Sequence, residues 1–501
     1  NINYLFITNV NRKRNFIRKT LQGCTKNTLT LKMLPNLLYA KMNVFKLLKV
    51  TNLCLNRCYS NKNPIQKTWQ LLSTEIPSLF KNDKPTFYPE HADVVIIGGG
   101  AIGSSIAYHL KEKCGPGLSV VVLEKDFTFK KALQNHSFTG ISQHYSIIEN
   151  MLLSQYSAEF LRNIKDKLGQ EVDIQYNPHG NLVLANEKYA ELLEQNVTMQ
   201  RENGVKNERL SPEKIRERYP WINVTDIKLG CIASESEGWF NSWLLHKSFM
   251  LKSHDLGALY VNAEVTGFEV LKQRDLLMEG IEPGSFEKID KIKYKTDNKE
   301  FYIKFAICIL ANGSSSVETA QLAKIGVGKG LNAIGLPIVK RKNRVYCIEG
   351  NNYKLGLNMP LVRDVNGTWI RRNGLTDTLT CGYQPMVYEA SLDKLTEEEL
   401  FKNIIHPSLS HRIPDLKDAQ IISSNTELVD CNEYDESGIL GPHPYYSNMY
   451  FATGFGIEHA PGIGRAMCEL IVDNNFIAID LLRFGFDRLL VDRPLIEVNS
   501  Y

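Results

Sequence analysis

The sequence predicts an α/β fold: a parallel sheet covered by helices, with a second, antiparallel sheet set into the chain. Three observations carry that expectation. The run Asp93-Val-Val-Ile-Ile-Gly98-Gly-Gly100-Ala-Ile-Gly103 takes an apolar stretch into a glycine turn that opens a helix. A second apolar stretch, Leu118–Glu124, ends in an acid. Much later, Val345–Ile348, Thr368–Arg371 and Thr380–Tyr383 are short β-rich runs separated by turn residues, the pattern of an antiparallel sheet.

The first stretch is the most informative. Strand, glycine turn, helix, strand and terminal acid follow in the order of a Rossmann-type dinucleotide-binding unit. Gly98 permits the sharp turn out of the strand. Gly100 has no Cβ, so a pyrophosphate can approach the backbone there. Gly103 lets the helix pack closely on the strand. Ala101 and Ile102 begin the helix, and Ile102, Ile106 and Leu110 make one apolar stripe. Its first turn offers unbonded N–H groups and the positive end of the dipole, which suit a diphosphate. Glu124 lies 21 positions after Gly103, where an acid can hold the ribose hydroxyls.

A chain of 501 residues is long enough for one large α/β unit or two domains. Its net charge of +4 hides an asymmetry. Residues 1–62 hold 12 Lys and Arg and no acid, which leaves 47 basic against 55 acidic residues in the remainder, a net of −8. A body that acidic argues against nucleic-acid binding. The basic opening reads as a mitochondrial transit peptide over residues 1–60, with residues before Met33 or Met42 outside the natural start and cleavage before Ser60 in Arg57-Cys58-Tyr59-Ser60. The ten cysteines form no CxxC and no Cys/His spacing suited to zinc, so no metal is expected. No apolar run reaches the roughly 18 residues of a membrane span, so any membrane contact is expected to be peripheral.

Residues 61–90, with four prolines, read as a linker. A loop of small residues, Leu133–His144, follows the dinucleotide unit, and a helix carrying Leu152, Tyr156, Phe160 and Ile164 follows the loop. Asn181–Ala185 reads as a strand, Glu187–Asn203 as a solvated helix, and Ser211-Pro as a helix start. Ala258–Val261, Val265–Val270 and Phe301–Leu310 read as strands, with a charged excursion over Lys272–Lys299. The last of them runs into Ala311-Asn-Gly313-Ser, either a second contact to the dinucleotide or an ordinary strand-end turn. Leu395–Ile405 reads as a helix. Tyr450–Thr453 enters the turn Gly454-Phe-Gly456, and Pro461 can start a helix through Ile471.

These stretches resemble the D-amino-acid oxidase/sarcosine oxidase-like family of FAD-dependent oxidoreductases. The likeness rests on Val94-Val-Ile-Ile-Gly-Gly-Gly, Phe160-Leu-Arg-Asn-Ile, Glu237-Gly-Trp-Phe, Gly441-Pro-His-Pro, Asn448-Met-Tyr-Phe-Ala-Thr-Gly-Phe and Ala460-Pro-Gly-Ile-Gly-Arg-Ala. It runs from about Asp93 to Asp480 and is narrowest toward mitochondrial members that act in the assembly of respiratory complex I. The resemblance implies a Rossmann-like FAD-binding domain interleaved with an antiparallel-sheet substrate domain. The FAD segments would be about 91–150, 230–330 and 425–480, the substrate segments about 151–229 and 331–424, and 481–501 a tail.

It also implies FAD as cofactor. Gly98, Gly100, Ala101, Ile102, Gly103, Glu124 and Lys125 would hold the ADP half. Ser137, Gly140 and Gln143 would lie nearer the flavin, Val265 beside the adenine, and Gly313 over the pyrophosphate. Gly454, Gly456, Gly462 and Gly464 would cover the isoalloxazine. The implied chemistry is oxidation of a small amine or amino acid by hydride transfer to FAD, with Arg371 or Arg372 as candidate for a substrate carboxylate. The implied partners are complex I assembly intermediates, in the matrix or on the matrix face of the inner membrane. The chain departs from the family on the flavin side. Ala132-Leu133 replaces Ala-Ser, Gly313-Ser-Ser-Ser316 replaces Gly-Ala-Trp-Ser, Asn425-Thr-Glu427 replaces a Trp-x-Gly lead-in, and the cover segment is shortened to Gly454–His459. Cys431 is incidental in this reading rather than a covalent flavin link. Two other classes stand beside it: a catalytically inactive binding protein that keeps the fold, and an NAD(P)-dependent dehydrogenase.

Overall fold

The computed structural model describes residues 88–129, 138–233, 236–273, 286–349, 355–374, 376–386 and 388–498. The expected transit peptide, nearly all of the linker, Ala132-Leu133 and Ser137 lie outside the described residues. Among the described residues no helix is long and apolar enough to cross a membrane.

The central parallel sheet is built outward from β1 (His91–Ile97). On one side stand β2 (Val120–Glu124) and then β8 (Leu259–Asn262); on the other stand β11 (Lys299–Leu310) and β18 (Met449–Thr453), all parallel. The edge strand β17 (Ile439–Pro442) runs antiparallel to β18. The charged excursion is a hairpin of β9 (Glu264–Gln273) and β10 (Phe286–Thr296), and β10 pairs with the first half of β11. β1 and β2 are buried almost throughout: Val95, Ile97, Val121 and Leu123 on one face pack in a core cluster with Ile289, Ile292 and Tyr294 of β10. Helix α1 (Ala101–Cys114) carries β1 back toward β2.

The second sheet runs in the order β16 (Gln420–Asn432), β12 (Ile338–Glu349), β15 (Thr378–Tyr383), β14 (Thr368–Arg372), β13 (Leu361–Arg363), β4 (Asn181–Ala185), β6 (Leu229–Ala233), β5 (Glu208–Leu210). All its pairings are antiparallel except that of β13 with β4. Leu182, Ile348, Ile370 and Cys381 on one face pack against Phe401, Ile405 and Leu409 from the helical stretch that follows. A two-stranded sheet of β3 (Phe138–Ile141) and β7 (Gly238–Asn241) completes the set.

Four expected boundaries shift. β6 and β16 both belong to the antiparallel sheet, although divisions at 230 and 425 would cut them. Strand pairing decides membership, and a boundary drawn from resemblance does not see partners. Helix α2 (Ile148–Arg162), expected to open the substrate segment, joins α1 in one apolar cluster through Phe160 and Tyr108. Residues 481–498 are no separate tail: Phe484, Phe486 and Leu495 are buried and Arg488 is held by Asp435.

Candidate functional site

The site begins where β1 and β11 end. Ala311 N–H donates to the Ile97 carbonyl at 2.9 Å, so the two strand ends are neighbours. The sheet turns in opposite directions from this point, toward β2 on one side and β18 on the other, and such a switch opens a crevice at the strand ends. Gly98 turns there with φ 102°, and a Cβ on it would lie 2.6 Å from the Ala311 carbonyl oxygen. A Cβ on Gly103 would overlap the Gly98 carbonyl oxygen. Neither position tolerates a side chain.

Gly100 is extended at the head of α1, and no side chain caps the helix. The first-turn amides therefore face outward as an anion cradle. Ala101 is buried and Ile102 half-buried as the helix begins. Glu124 sits at this mouth. Its carboxylate accepts from Gly99 N–H at 2.8 Å and from Asp126 N–H at 2.8 Å. Burial pushes its pKa up, against the pull of those two bonds. Val265 lies near it across the strands, two residues past Ala263, whose N–H donates to the Glu124 carbonyl at 2.8 Å. Lys125 instead points outward and pairs with Glu264 at 2.5 Å. The ADP half of FAD fits this set: an amide cradle, two positions that a Cβ would fill, and an anchored carboxylate for vicinal hydroxyls.

His246, on the helix Ser242–Asp255, is a residue that sequence reasoning missed. Its Nε2 contacts the Gly99 carbonyl at 2.7 Å, and Ser104 Oγ donates to the same oxygen at 2.9 Å. Burial lowers the imidazole pKa to about 4, so the neutral ring donates. The turn is thus pinned by a group 147 residues away in sequence. A histidine inside a mixed helix gives no sign of that role.

The residues expected around the pyrophosphate and the flavin come from separate segments. Gly313 turns with φ 54° at the end of β11 and Gly454 with φ 75° at the end of β18. Thr453 Oγ1 donates to the Gly313 carbonyl at 3.4 Å. Asp430 of β16 lies beside both turns: it accepts from Gly454 N–H at 3.0 Å, and the Cβ position of Gly313 faces its Oδ1 at 3.6 Å. Burial raises the Asp430 pKa. Nothing in the sequence around Asp430 marks it. Gly140 pairs with Trp239 across β3 and β7. Gln143 is buried, and its N–H donates to the buried Glu237 carboxylate, whose other oxygen lies 3.4 Å from His144 Nε2.

The shortened cover segment closes on itself. The Glu458 carboxylate lies against Gly456, and Ile457–His459 form a single tight turn into α3 (Ala460–Val472). Gly462 and Gly464 sit inside α3. A Cβ on Gly462 would press on Leu153 of α2, and one on Gly464 would overlap Ser105 Oγ of α1. Their α-carbon faces serve helix packing. Of the two, Gly462 lies in the first turn, where a backbone N–H remains available to a ligand.

Arg371 and Arg372 are neighbours on β14, so they point to opposite faces. Arg372 shares the face of Ile370; its guanidinium contacts the Gly374 carbonyl at 3.2 Å and the exposed Asp377 at 3.5 Å. Arg371 is 3% exposed on the other face, where its guanidinium lies 5.5 Å from the Trp239 ring and donates to Asn373 Oδ1 at 3.0 Å. Burial works against its charge. A buried guanidinium on the face toward β7 suits a carboxylate, and the sheet therefore favours Arg371 over Arg372.

A cleft of about 750 Å³ lies elsewhere, between α1, α2 and α3 around Tyr156 and Arg465. Two ion pairs border it, Arg465 with Glu469 at 2.8 Å and Lys113 with Asp473.

Known proteins place these features in context. A family model described as FAD dependent oxidoreductase matches residues 93–470. The chain is 41% identical over 424 residues to the FAD-dependent oxidoreductase domain-containing protein 1 homolog of Drosophila melanogaster, covering 83% of this chain and 82% of that protein. It is 24% identical over 432 residues to the mitochondrial dimethylglycine dehydrogenase of Mus musculus, covering 80% of this chain and 45% of that protein. Among solved structures, L-proline dehydrogenase from P. horikoshii superposes with a TM-score of 0.66 at 20% identity, over 81% of this chain and all of that one.

Proposed function

This chain belongs to the FAD dependent oxidoreductase family, whose cofactor is FAD, and from that premise we propose that it acts in mitochondria in the assembly of respiratory complex I. The proposal keeps the amine or amino-acid oxidation of its relatives as the underlying chemistry. The observation that carries the reading is the uncapped start of α1 with the Glu124 carboxylate fixed at its mouth.

FAD, when bound, supplies a two-electron acceptor for a C–H bond beside an amine nitrogen. The chain's own residues bind and orient. The first-turn amides of α1 would take the pyrophosphate, and Glu124 the adenosine ribose. The backbone near Val265 would meet the adenine. Gly313 would close over the pyrophosphate and Gly454 would border the flavin half, with Asp430 beside both turns. Arg371 would hold a substrate carboxylate on the facing sheet, with Trp239 and Asn373 fixing its guanidinium.

A mitochondrial location is supported by the basic, acid-free opening of the sequence and by a relative named as mitochondrial. The complex I role rests on the sequence resemblance. A second reading, a catalytically inactive FAD protein, is favoured by one feature: the cover segment is short and spends its polar groups internally, with Gly454 N–H on Asp430 and the Glu458 carboxylate against Gly456.

Two measurements test the proposal. The purified chain should carry stoichiometric FAD in its visible spectrum; tight NADH binding with no flavin would end the reading in favour of a dehydrogenase. Cells lacking the protein should lose mature complex I and regain it with the unmodified chain but not with a variant that cannot hold FAD. Anaerobic reduction of the bound flavin by secondary amino acids separates the two readings, since an inactive protein leaves the flavin oxidised.

A further inference from the structure

We infer that the C-terminal segment Phe484–Val498 is a strap that holds the flavin-side segments shut, with Glu497 as its positioning residue. The inference rests on the FAD reading. The residue before α2, Ile147, offers no side chain to cap the helix. Glu497 supplies the missing cap from 350 residues away: its Oε2 accepts from Ser146 N–H at 2.7 Å, Ser146 Oγ at 2.7 Å and Ile147 N–H at 3.2 Å. Its Oε1 accepts from Asn150 Nδ2 at 2.8 Å. An anionic carboxylate at a helix N-terminus answers both the unbonded amides and the dipole. Val498 N–H adds a bond to Ser146 Oγ at 2.7 Å, and Asn196 Nδ2 donates to the Val498 carbonyl at 2.9 Å.

Further back the segment grips a second loop. Arg488 donates to the Asp435 carboxylate at 2.7 Å, Leu495 N–H donates to it at 3.0 Å, and Ser437 Oγ donates to the Leu495 carbonyl at 2.8 Å. The two anchored loops flank the short cover segment Gly454–His459. At one end Phe455 lies over Gly438 and packs 5.6 Å from Phe484. At the other His459 Nε2 meets Tyr145 OH at 3.2 Å, next to the strapped Ser146. The same loop carries Gln143 and His144, so fixing Ser146 also fixes the loop held by Glu237. The strap thus does what the residues missing from the cover segment cannot: it ties both ends of that segment to the body.

The test compares the full chain with Glu497→Ala, Glu497→Asp and a chain ending at Ile496. FAD release is followed by recovery of flavin fluorescence, and amide hydrogen exchange is followed over residues 142–150. FAD should leave Glu497→Ala and the shortened chain about tenfold faster, with Ile147 and its neighbours exchanging faster to match. Glu497→Asp should recover part of both, and the FAD-free chains should melt within about 3 °C of one another. FAD release within twofold of the unmodified chain overturns the strap, even if the melting temperature falls. Flavin absent from the unmodified chain overturns the cofactor reading, and the strap with it.

Discussion

Replacing Glu124 by Gln should weaken FAD binding without weakening the chain. The carboxylate accepts two backbone N–H bonds, from Gly99 and Asp126, each at 2.8 Å. Those two bonds fix the turn and the strand end whether or not a nucleotide is present. Burial raises the pKa of the group above its ordinary 4.5. A raised carboxyl pKa means that protonation favours the folded state. The contribution is full below the unfolded value and is lost as pH rises through the folded one. At neutral pH the buried charge therefore costs the FAD-free protein stability. Gln removes that cost and keeps one carbonyl acceptor for a backbone N–H. The lost charge-assisted bond offsets the gain, so the FAD-free melting temperature should stay within about 3 °C or rise. FAD binding should respond differently. Hydrogen bonds to a charged acceptor are worth about 1.5–3 kcal/mol each, and the amide replaces the pair only in part. A net loss of about 2–3 kcal/mol raises the FAD dissociation constant roughly 30- to 150-fold. Titration of the FAD-free chain with FAD, followed by flavin fluorescence, measures this directly. A change below threefold, or a loss of affinity that merely tracks unfolding, refutes the placement of the ribose on Glu124.

Gly103→Ala should destabilise the chain by about 3 kcal/mol or more, because its Cβ would overlap the Gly98 carbonyl oxygen and neither backbone can withdraw; thermal unfolding with and without FAD reads it, and a melting temperature close to the unmodified value would contradict the packing. Arg371→Met should abolish flavin reduction by any amino-acid substrate while leaving FAD bound, whereas Arg372→Met should cost only about 1 kcal/mol of stability through its exposed pair with Asp377; equal effects from both would remove the distinction between the two faces. His109, His246 and His443 are each held neutral by burial with pKa values of about 4, so each contributes stability that is present above 6.5 and is lost as pH falls through 4. Melting curves over that range should show stability falling by about 1.4 kcal/mol per pH unit for each histidine, and His246→Gln should remove one share of the slope. An unchanged slope in that variant would mean that His246 is charged in the folded state.

What could be read in advance follows the range of the interactions. The dinucleotide unit is local: its glycines, helix and acid lie within 35 residues, and each answers to a steric or electrostatic need that the sequence displays. The strands Asn181–Ala185, Thr368–Arg372 and Thr378–Tyr383 were also legible, from β-branched runs between turns. Asp430 and His246 were not. Each acts on a glycine turn through one contact to a segment brought near only by the completed sheets. The choice between Arg371 and Arg372 shows the same limit in small. Alternation along the strand says that they diverge, but only the packing of Ile370 against the helical layer says which of them turns away from it. The tail was misjudged for a related reason: its buried Arg488 and Leu495 and half-buried Glu497 are scattered among exposed residues and find partners up to 351 positions away.

The two halves of the site therefore differ in how they are held, and that difference predicts how each can fail. The ADP half depends on one βαβ unit, and damage there needs a change in the unit itself or in His246. The proposed flavin half is assembled from the loop after β3, the ends of β11, β16 and β18, the start of α3 and the C-terminal segment. None of these holds its neighbours alone. Asp430 holds Gly454 beside Gly313, Glu237 holds Gln143, and Glu497 fixes Ser146 beside the Tyr145–His459 contact. Changes far from the nucleotide in sequence should reach the flavin end through these bridges. They should loosen the ring end of FAD while the adenosine end stays seated, and so alter flavin reactivity before they alter flavin content.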